Sequence, residues 1–295
     1  MNTDIPCEEG GAAESDISYR CCCVICGKII EDGRYGCDCR EKEWTDEYRV
    51  TDVKYEWTEG DIRKALAAFR RYSTKSGRGM LQYNVMPHRR YAKRLKLRVG
   101  NTPLFELPRL GAKYGIDLFV KDEGKNPGGS FKDRETVVAA LHTMAAGRKR
   151  AIIYSSGNAA ASAALVASHL QIDLITCVSG DTYEGKVDYI RNLGSDVILI
   201  GDENTNYEEG YRLFSQLAKE NFFARRGVDN WSVRNPFRVT GDKTTALEVV
   251  KQYGALSGAR VAVPDYVVVP TGNGSCLAGM WKGFVELHRI GAITR

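Results

Sequence analysis

From Leu104 to Arg289, short β-branched or aromatic runs alternate with longer segments of helical apolar spacing, and turn residues punctuate each change. The spacing predicts strands at Ile116–Val120, Ala151–Tyr154, Ile172–Val178, Val197–Gly201, Trp231–Val233 and Tyr266–Pro270. It predicts helices at Thr136–Met144, from the Ser155 turn to Leu170, and at Gly185–Leu193, Tyr207–Glu220, Thr240–Tyr253 and Ser275–Arg289, the last with Leu277, Trp281, Phe284 and Leu287 on one face. Regular alternation of this kind specifies an α/β protein: parallel sheet flanked by helices, with ligands held at the carboxyl ends of the strands.

Upstream of Leu104 the chain reads differently. Residues 1–17 are small, polar and acidic, which predicts disorder and does not match a secretory signal. Six of the nine cysteines fall between Cys21 and Cys39. Cys23 and Cys26 have the two-residue separation that lets two thiolates grip one Zn²⁺; Cys37 and Cys39 are closer than in a standard ribbon, and Cys21 or Cys22 is an alternative ligand. Crowded cysteines beside an ordinary core point to metal or free thiols in a cytoplasmic protein rather than to a disulfide framework. Asp61–Tyr72 reads as a helix with Ile62, Leu66 and Phe69 on one face, and Ser73–Met86 as a loop. Net charge is +5, and six positive charges sit between His88 and Arg98. With Tyr91 the single aromatic in that run, a solvated edge is the expectation and nucleic-acid binding is not. No run of 18 apolar residues offers a membrane span.

Three turns carry chemistry. Asn126–Arg134, NPGGSFKDR, places Lys132 in the first turn of a helix, with Ser130 and Asp133 spaced as a capping box. The positive end of the helix dipole disfavours an ammonium there, which suits a lysine that joins a carbonyl cofactor. Thr271-Gly272-Asn273-Gly274-Ser275 leads into a helix, so its backbone N–H groups suit a phosphate. It has neither the lysine of a nucleotide P-loop nor the spacing of a dinucleotide fold. Ser155-Ser156-Gly157-Asn158 opens another helix and suits a carboxylate, with an amide to spare for a phenolate. Pyridoxal phosphate carrying an amino acid presents those three groups.

Gly100-Asn101-Thr102-Pro103-Leu104, Val120-Lys121-Asp122-Glu123-Gly124, NPGGSFKDR, SSGNAAAS from Ser155, NPFR from Asn235 with Gly241-Asp242-Lys243-Thr244, and VPTGNGS ending at Ser275 follow one another as they do in threonine synthases. The chain resembles that branch of the fold-type-II, tryptophan-synthase-like pyridoxal-phosphate enzymes from about Tyr19 to Arg295. The resemblance implies two parallel-sheet, three-layer domains. It divides the chain into a zinc-ribbon-like start (1–45), a first part of the large domain (46–133), a small domain (134–233) and a second part of the large domain (234–295). It implies that Lys132 forms the Schiff base and moves protons, that Phe131 stacks on the cofactor ring and that Asn158 meets the ring oxygen. Thr271, Gly272, Asn273, Gly274 and Ser275 would hold the cofactor phosphate. Ser155, Ser156 and Gly157 would border the substrate carboxylate, Arg238 would meet the substrate phosphate, and Cys23, Cys26, Cys37 and Cys39 would bind zinc. The implied reaction takes O-phospho-L-homoserine and water to L-threonine and phosphate, as a carbon–oxygen lyase of amino-acid biosynthesis.

Three departures bear on the substrate. Ala159 follows the SGN asparagine where the family usually has Thr. Ser232 stands six residues before Arg238 where Asn is common, and Arg234 looks inserted. Such enzymes normally continue for sixty or more residues beyond the equivalent of Arg295, and that tail supplies the hydroxyl for the pyridine nitrogen. A sheet edge and apolar helix faces are therefore expected to lie uncovered. Lys243 is a further candidate for positive charge near the substrate. The partners expected are a small phosphorylated amino acid and a second copy in a homodimer, with no nucleic acid and no membrane. The alternatives are a related enzyme acting on a phosphoserine-type or other β-replacement substrate, and a non-catalytic fragment that needs a partner chain.

Overall fold

The computed structural model describes residues 17–30, 37, 39, 51–73, 79–83, 86–219 and 223–294. The expected disorder of residues 1–17 therefore lies, apart from Ile17, outside the described residues. Strands β1 (Tyr19–Cys23), β2 (Ile29–Ile30) and β3 (Thr51–Tyr55) form an antiparallel sheet in the order β2-β1-β3. Helix α1 (Glu59–Arg71) follows. Thr58 caps it: its Oγ1 accepts from the Asp61 N–H at 3.1 Å, and the Asp61 carboxylate accepts from the Thr58 N–H at 3.1 Å. Strands β4 (Leu104–Glu106) and β5 (Phe119–Lys121) pair antiparallel around a short helix, α2 (Pro108–Tyr114).

Helix α3 (Lys132–Ala145) leads into the alternating region: β6 (Arg150–Tyr154), α4 (Asn158–Leu170), β7 (Asp173–Ser179), α5 (Glu184–Asn192), β8 (Asp196–Ile200), α6 (Tyr207–Lys219), β9 (Val228–Asn230), α7 (Pro236–Leu256) and α8 (Ser275–Arg289). The four strands make one parallel sheet in the order β8-β7-β6-β9. Its alternation sorts the core. Ala151, Ile153, Leu174 and Val178 face α3, α4 and α5, while Ile152, Tyr154 and Cys177 face Phe214 of α6. A separate core joins Phe69 of α1 to Leu247 of α7 and Leu287 of α8.

Several expectations need correction. The strand expected at Trp231–Val233 lies at β9, three residues earlier. The ladder ends with Trp231 N–H donating to the Ile152 carbonyl at 2.8 Å, because Ser232 Oγ then takes the Tyr154 N–H at 3.0 Å. Tyr266–Pro270 forms no strand: no described strand runs beside it, and Tyr266 and Val268 are 90% and 92% exposed. The apolar face expected on α8 is divided, with Leu287 buried but Leu277 and Trp281 exposed. The side that packs carries Gly279 and Gly283, and a Cβ at Gly283 would strike the Lys243 carbonyl of α7. The basic run, expected as a solvated strand or loop edge, folds as a 3-10 turn, Arg89–Arg94, with none of its residues buried; His88 turns inward to Tyr19 and His142. Ser130 and Asp133 form no capping box. Ser130 Oγ accepts from the Lys132 N–H at 3.3 Å, and Asp133 reaches back to the Gly128 N–H at 2.6 Å.

The segments GNTPL, VKDEG and the first turn of α3 converge on one buried ionic cluster. Arg134, with no exposed side-chain surface, holds Glu248 of α7 through Nη1 and Nη2 at 2.7 and 2.8 Å and Glu123 through Nε and Nη2 at 2.7 and 2.8 Å. Lys121 Nζ adds a contact to Glu248 at 2.6 Å. Thr102 Oγ1 donates to Glu123 at 2.6 Å, and the Asn101 N–H donates to Glu248 at 2.8 Å. Gly100 has φ +82, and a Cβ there would sit 2.7 Å from a Glu248 oxygen, so glycine is required for the loop to close on the cluster. Burial pushes the Glu248 carboxyl up, but Arg134 and Lys121 overcome it and hold it at about 2. Because the folded value is depressed, the stabilisation is present above the ordinary value of 4.5 and is lost as pH falls toward about 2. Glu248→Gln is expected to cost about 3–5 kcal/mol at neutral pH, since it leaves Lys121 without its carboxylate and Arg134 with Glu123 alone. Denaturant unfolding of the two proteins between pH 7 and pH 2.5 should show the difference narrowing with acidity; a gap independent of pH would refute the assignment.

Candidate active site

Lys132 is the first residue of α3, as the turn chemistry predicts, and its side chain is only 14% exposed. Its ammonium lies 4.3 Å from the centre of the Phe131 ring, 2.8 Å from Glu135 Oε1 and 3.5 Å from Ser275 Oγ. Glu135, three residues along the same helix, is fully buried and faces Lys132 because that spacing stacks side chains on one helix face. Its other oxygen forms an ion pair with Arg238 of α7. Ser275 Oγ, at the start of α8, donates to Glu135 Oε1 at 2.6 Å. Burial raises the Glu135 carboxyl, but the two cations outweigh it and bring it to about 2. One carboxylate thus joins the lysine, the Gly-rich turn and the arginine that sequence reasoning had singled out separately.

Glu135 itself was missed, because the segment after Lys132 was read for apolar spacing; its i+3 relation to Lys132 was the available signal. Asp242 was also missed. It is fully buried on α7, and neither oxygen has a hydrogen-bond partner. Burial and the neighbouring Glu135 push its carboxyl well above the ordinary range.

The Gly-rich turn is arranged around Asn273, whose Oδ1 accepts from the Ser275 N–H at 3.0 Å and lies 2.9 Å from Ser275 Oγ. Gly274 has φ +84, and a Cβ on Gly272 or Gly274 would meet no atom within 4 Å. The same is true of Gly157, which precedes exposed Asn158, the first residue of α4. Both turns border open space. Ser162 Oγ donates to Thr136 Oγ1 at 2.9 Å. Asn158 and Lys132 each lie one helical turn before that contact, so the Ser155–Asn158 turn and Lys132 share one end of the α3–α4 pair.

Lys243 is not part of this arrangement. Its ammonium meets Glu286 of α8 at 3.0 Å and the Tyr55 hydroxyl at 3.1 Å, away from Arg238, and burial lowers it to about 8 despite Glu286. At the other end of the chain the Sγ atoms of Cys23, Cys26, Cys37 and Cys39 lie within 4.8 Å of one another; Cys21 and Cys22 are not in the group. Burial raises the Cys23 thiol, but the backbone N–H groups of Cys26 and Ile25 outweigh it and bring it to about 7.

No helix among the described residues is long and apolar enough to cross a membrane. A family model described as "Pyridoxal-phosphate dependent enzyme" matches residues 95–294. The threonine synthase of Methanocaldococcus jannaschii is 32% identical over 92% of this chain and 62% of its own. That of Halalkalibacterium halodurans is 32% identical over 72% of this chain and 56% of its own. The chain thus spans about six-tenths of the length of these curated relatives. Among solved structures, O-ureido-L-serine synthase aligns with TM-score 0.52 at 25% identity over 65% of this chain and 57% of its own. Threonine deaminase isoform 2 of Solanum lycopersicum aligns with TM-score 0.53 at 20% identity over 79% and 55%, a likeness of fold. With two-thirds of its length matched and a half-buried lysine at the mouth of a helix beside the Gly-rich turn, this threonine-synthase-like chain belongs to the pyridoxal-phosphate-dependent enzyme family.

Proposed function

We propose that the protein acts as a threonine synthase, releasing phosphate from O-phospho-L-homoserine and adding water to give L-threonine. The single observation that carries this reading is the Lys132–Glu135–Arg238 chain, which puts a guanidinium one carboxylate away from the reactive amine. The residues present fit the cofactor: an amine beside an aromatic ring, and a turn before a 15-residue helix where added Cβ atoms would meet only open space. When bound, pyridoxal phosphate supplies an electron sink that stabilises carbanions at the substrate's α and β carbons.

The chain's own residues do the rest. Lys132 holds the cofactor and carries protons at Nζ. Phe131 would lie against the cofactor ring, and the Asn158 amide would donate to the ring oxygen. Thr271, Gly272, Asn273, Gly274 and Ser275 hold the cofactor phosphate with backbone N–H groups and the dipole of α8. Ser155, Ser156 and Gly157 hold the substrate carboxylate, and Arg238 offers positive charge to its phosphate. Glu135 keeps Lys132 and Arg238 in place while the substrate is absent, and Ser275 ties that carboxylate to the phosphate turn. The division into domains at about residues 133 and 233 puts Lys132 and Arg238 at the two seams.

A second reading, a β-replacement or phosphoserine-type substrate, is favoured by Ala159, which has no hydroxyl, and by Ser232, whose Oγ already takes the Tyr154 N–H. Phosphate-release assays on O-phospho-L-homoserine and O-phospho-L-serine separate the readings. Release from the first with threonine formed is expected, and Arg238→Ala should reduce it about 100-fold or more. Release from O-phospho-L-serine alone would favour the second reading.

We also propose one Zn²⁺ held by Cys23, Cys26, Cys37 and Cys39 as a structural site. A thiol-rich zinc site of this kind suits a cytoplasmic protein. Elemental analysis should find about one zinc per chain, and its removal should lower the Tm because the metal closes the β1–β2 turn on residues 37 and 39. Protein prepared without chelator and free of zinc would contradict the site.

A further inference from the structure

Arg238 is not a free cation in this fold, since Glu135 already neutralises it. Four residues earlier stands Arg234, in the turn between β9 and α7. It is 8% exposed, and its Nε and Nη2 are both shut off from solvent with no hydrogen-bond partner among the described residues. Buried guanidinium donors left without an acceptor are costly, and two unmet on one side chain suit an acceptor that arrives with a ligand. The two unpaired donors are not random: Nε–H and the Nη2–H beside it form the side edge of the guanidinium, the edge that grips two oxygens of one oxyanion at once.

The turn is fixed around that side chain. Asn235 Oδ1 accepts from the Phe237 N–H at 3.0 Å, and its Nδ2 donates to the Asn230 carbonyl at 2.9 Å. Ser232 holds the Tyr154 N–H, and Tyr154 immediately precedes the Ser155 turn. Arg234 therefore follows just beyond the carboxyl ends of β6 and β9, the end at which ligands bind in open parallel sheets.

We propose that Arg234, through Nε and Nη2, is a second residue that grips the phosphate of an amino-acid phosphate substrate, beside Arg238, whose charge is shared with Glu135. This deepens the proposed function and rests on its phosphorylated substrate. An arginine at this position offsets the phosphate contacts that Ala159 and Ser232 do not offer.

The test uses the pyridoxal-phosphate-loaded protein, whose cofactor phosphate site is filled, and inorganic phosphate as the probe, with Kd read by calorimetry and Tm by thermal denaturation. Phosphate should bind and raise the Tm of the wild type. Arg234→Gln should weaken phosphate binding about 10- to 100-fold, Arg234→Lys less, and the exposed Arg212→Gln not at all. Without phosphate, Arg234→Gln should melt no lower than the wild type, because it removes an unpaired buried charge. Equal phosphate affinity in wild type and Arg234→Gln overturns the proposal. So does a lowered Tm of that variant without phosphate, which would make the side chain structural. So does loss of acetate binding while phosphate binding is kept, which would assign it to a carboxylate. If Arg234→Gln loses phosphate but the wild type does not turn over O-phospho-L-homoserine, the oxyanion site stands and the substrate reading falls.

Discussion

Four consecutive ionisable side chains, Lys132, Asp133, Arg134 and Glu135, enter the interior in one turn of α3, and each must find a partner there. A buried charge left alone costs several kcal/mol. The surrounding segments are placed by that demand. Asp133 takes the Gly128 N–H and shapes the turn before the helix. Arg134 draws in Glu123 and Glu248, and with them the Gly100 loop and α7. Lys132 and Arg238 meet on Glu135. The helices also come unusually close, since a Cβ at Gly241 would strike the Arg134 carbonyl. Asp133 and Arg134 thus build the scaffold, while Lys132 and Glu135, three residues apart on the same helix face, reach the site.

This arrangement alters what the family-like segments mean. GNTPL and VKDEG contribute mostly to the Arg134 cluster, a structural device that fixes where α3 begins. Gly129 of NPGGSFKDR, the Ser155 turn and the Gly-rich turn border open space, while the NPFR segment is buried and reaches Lys132 through Glu135. Of the two arginines at the start of α7, the one that matches the family segment is neutralised, and the one that departs from it has its donors unmet.

Much of the fold was legible in the chain because apolar periodicity reports burial directly. β6, β7, β8 and α4 to α6 lie within one or two residues of expectation. The failures have separate causes. Helix α2 is a short piece whose Pro108 start and Gly115 end were readable but whose apolar pattern was not. Tyr266–Pro270 has strand-like residues, yet a strand exists only against a neighbour. At the site, Lys132 and the two helix-opening turns were legible because glycines and caps are local signals. Glu135 and Asp242 were not, because a carboxylate inside an apolar helix looks solvated until its long-range partners are known.

The central claim is that the end of α3 delivers one amine, Lys132, to the cofactor. It is tested most directly by loading the protein with pyridoxal phosphate, reducing with borohydride and mapping the labelled peptide. The account predicts label on Lys132 and on no other lysine, with none in Lys132→Ala. Label on Lys121 or Lys243, or an unlabelled Lys132 in folded, cofactor-saturated protein, would contradict it.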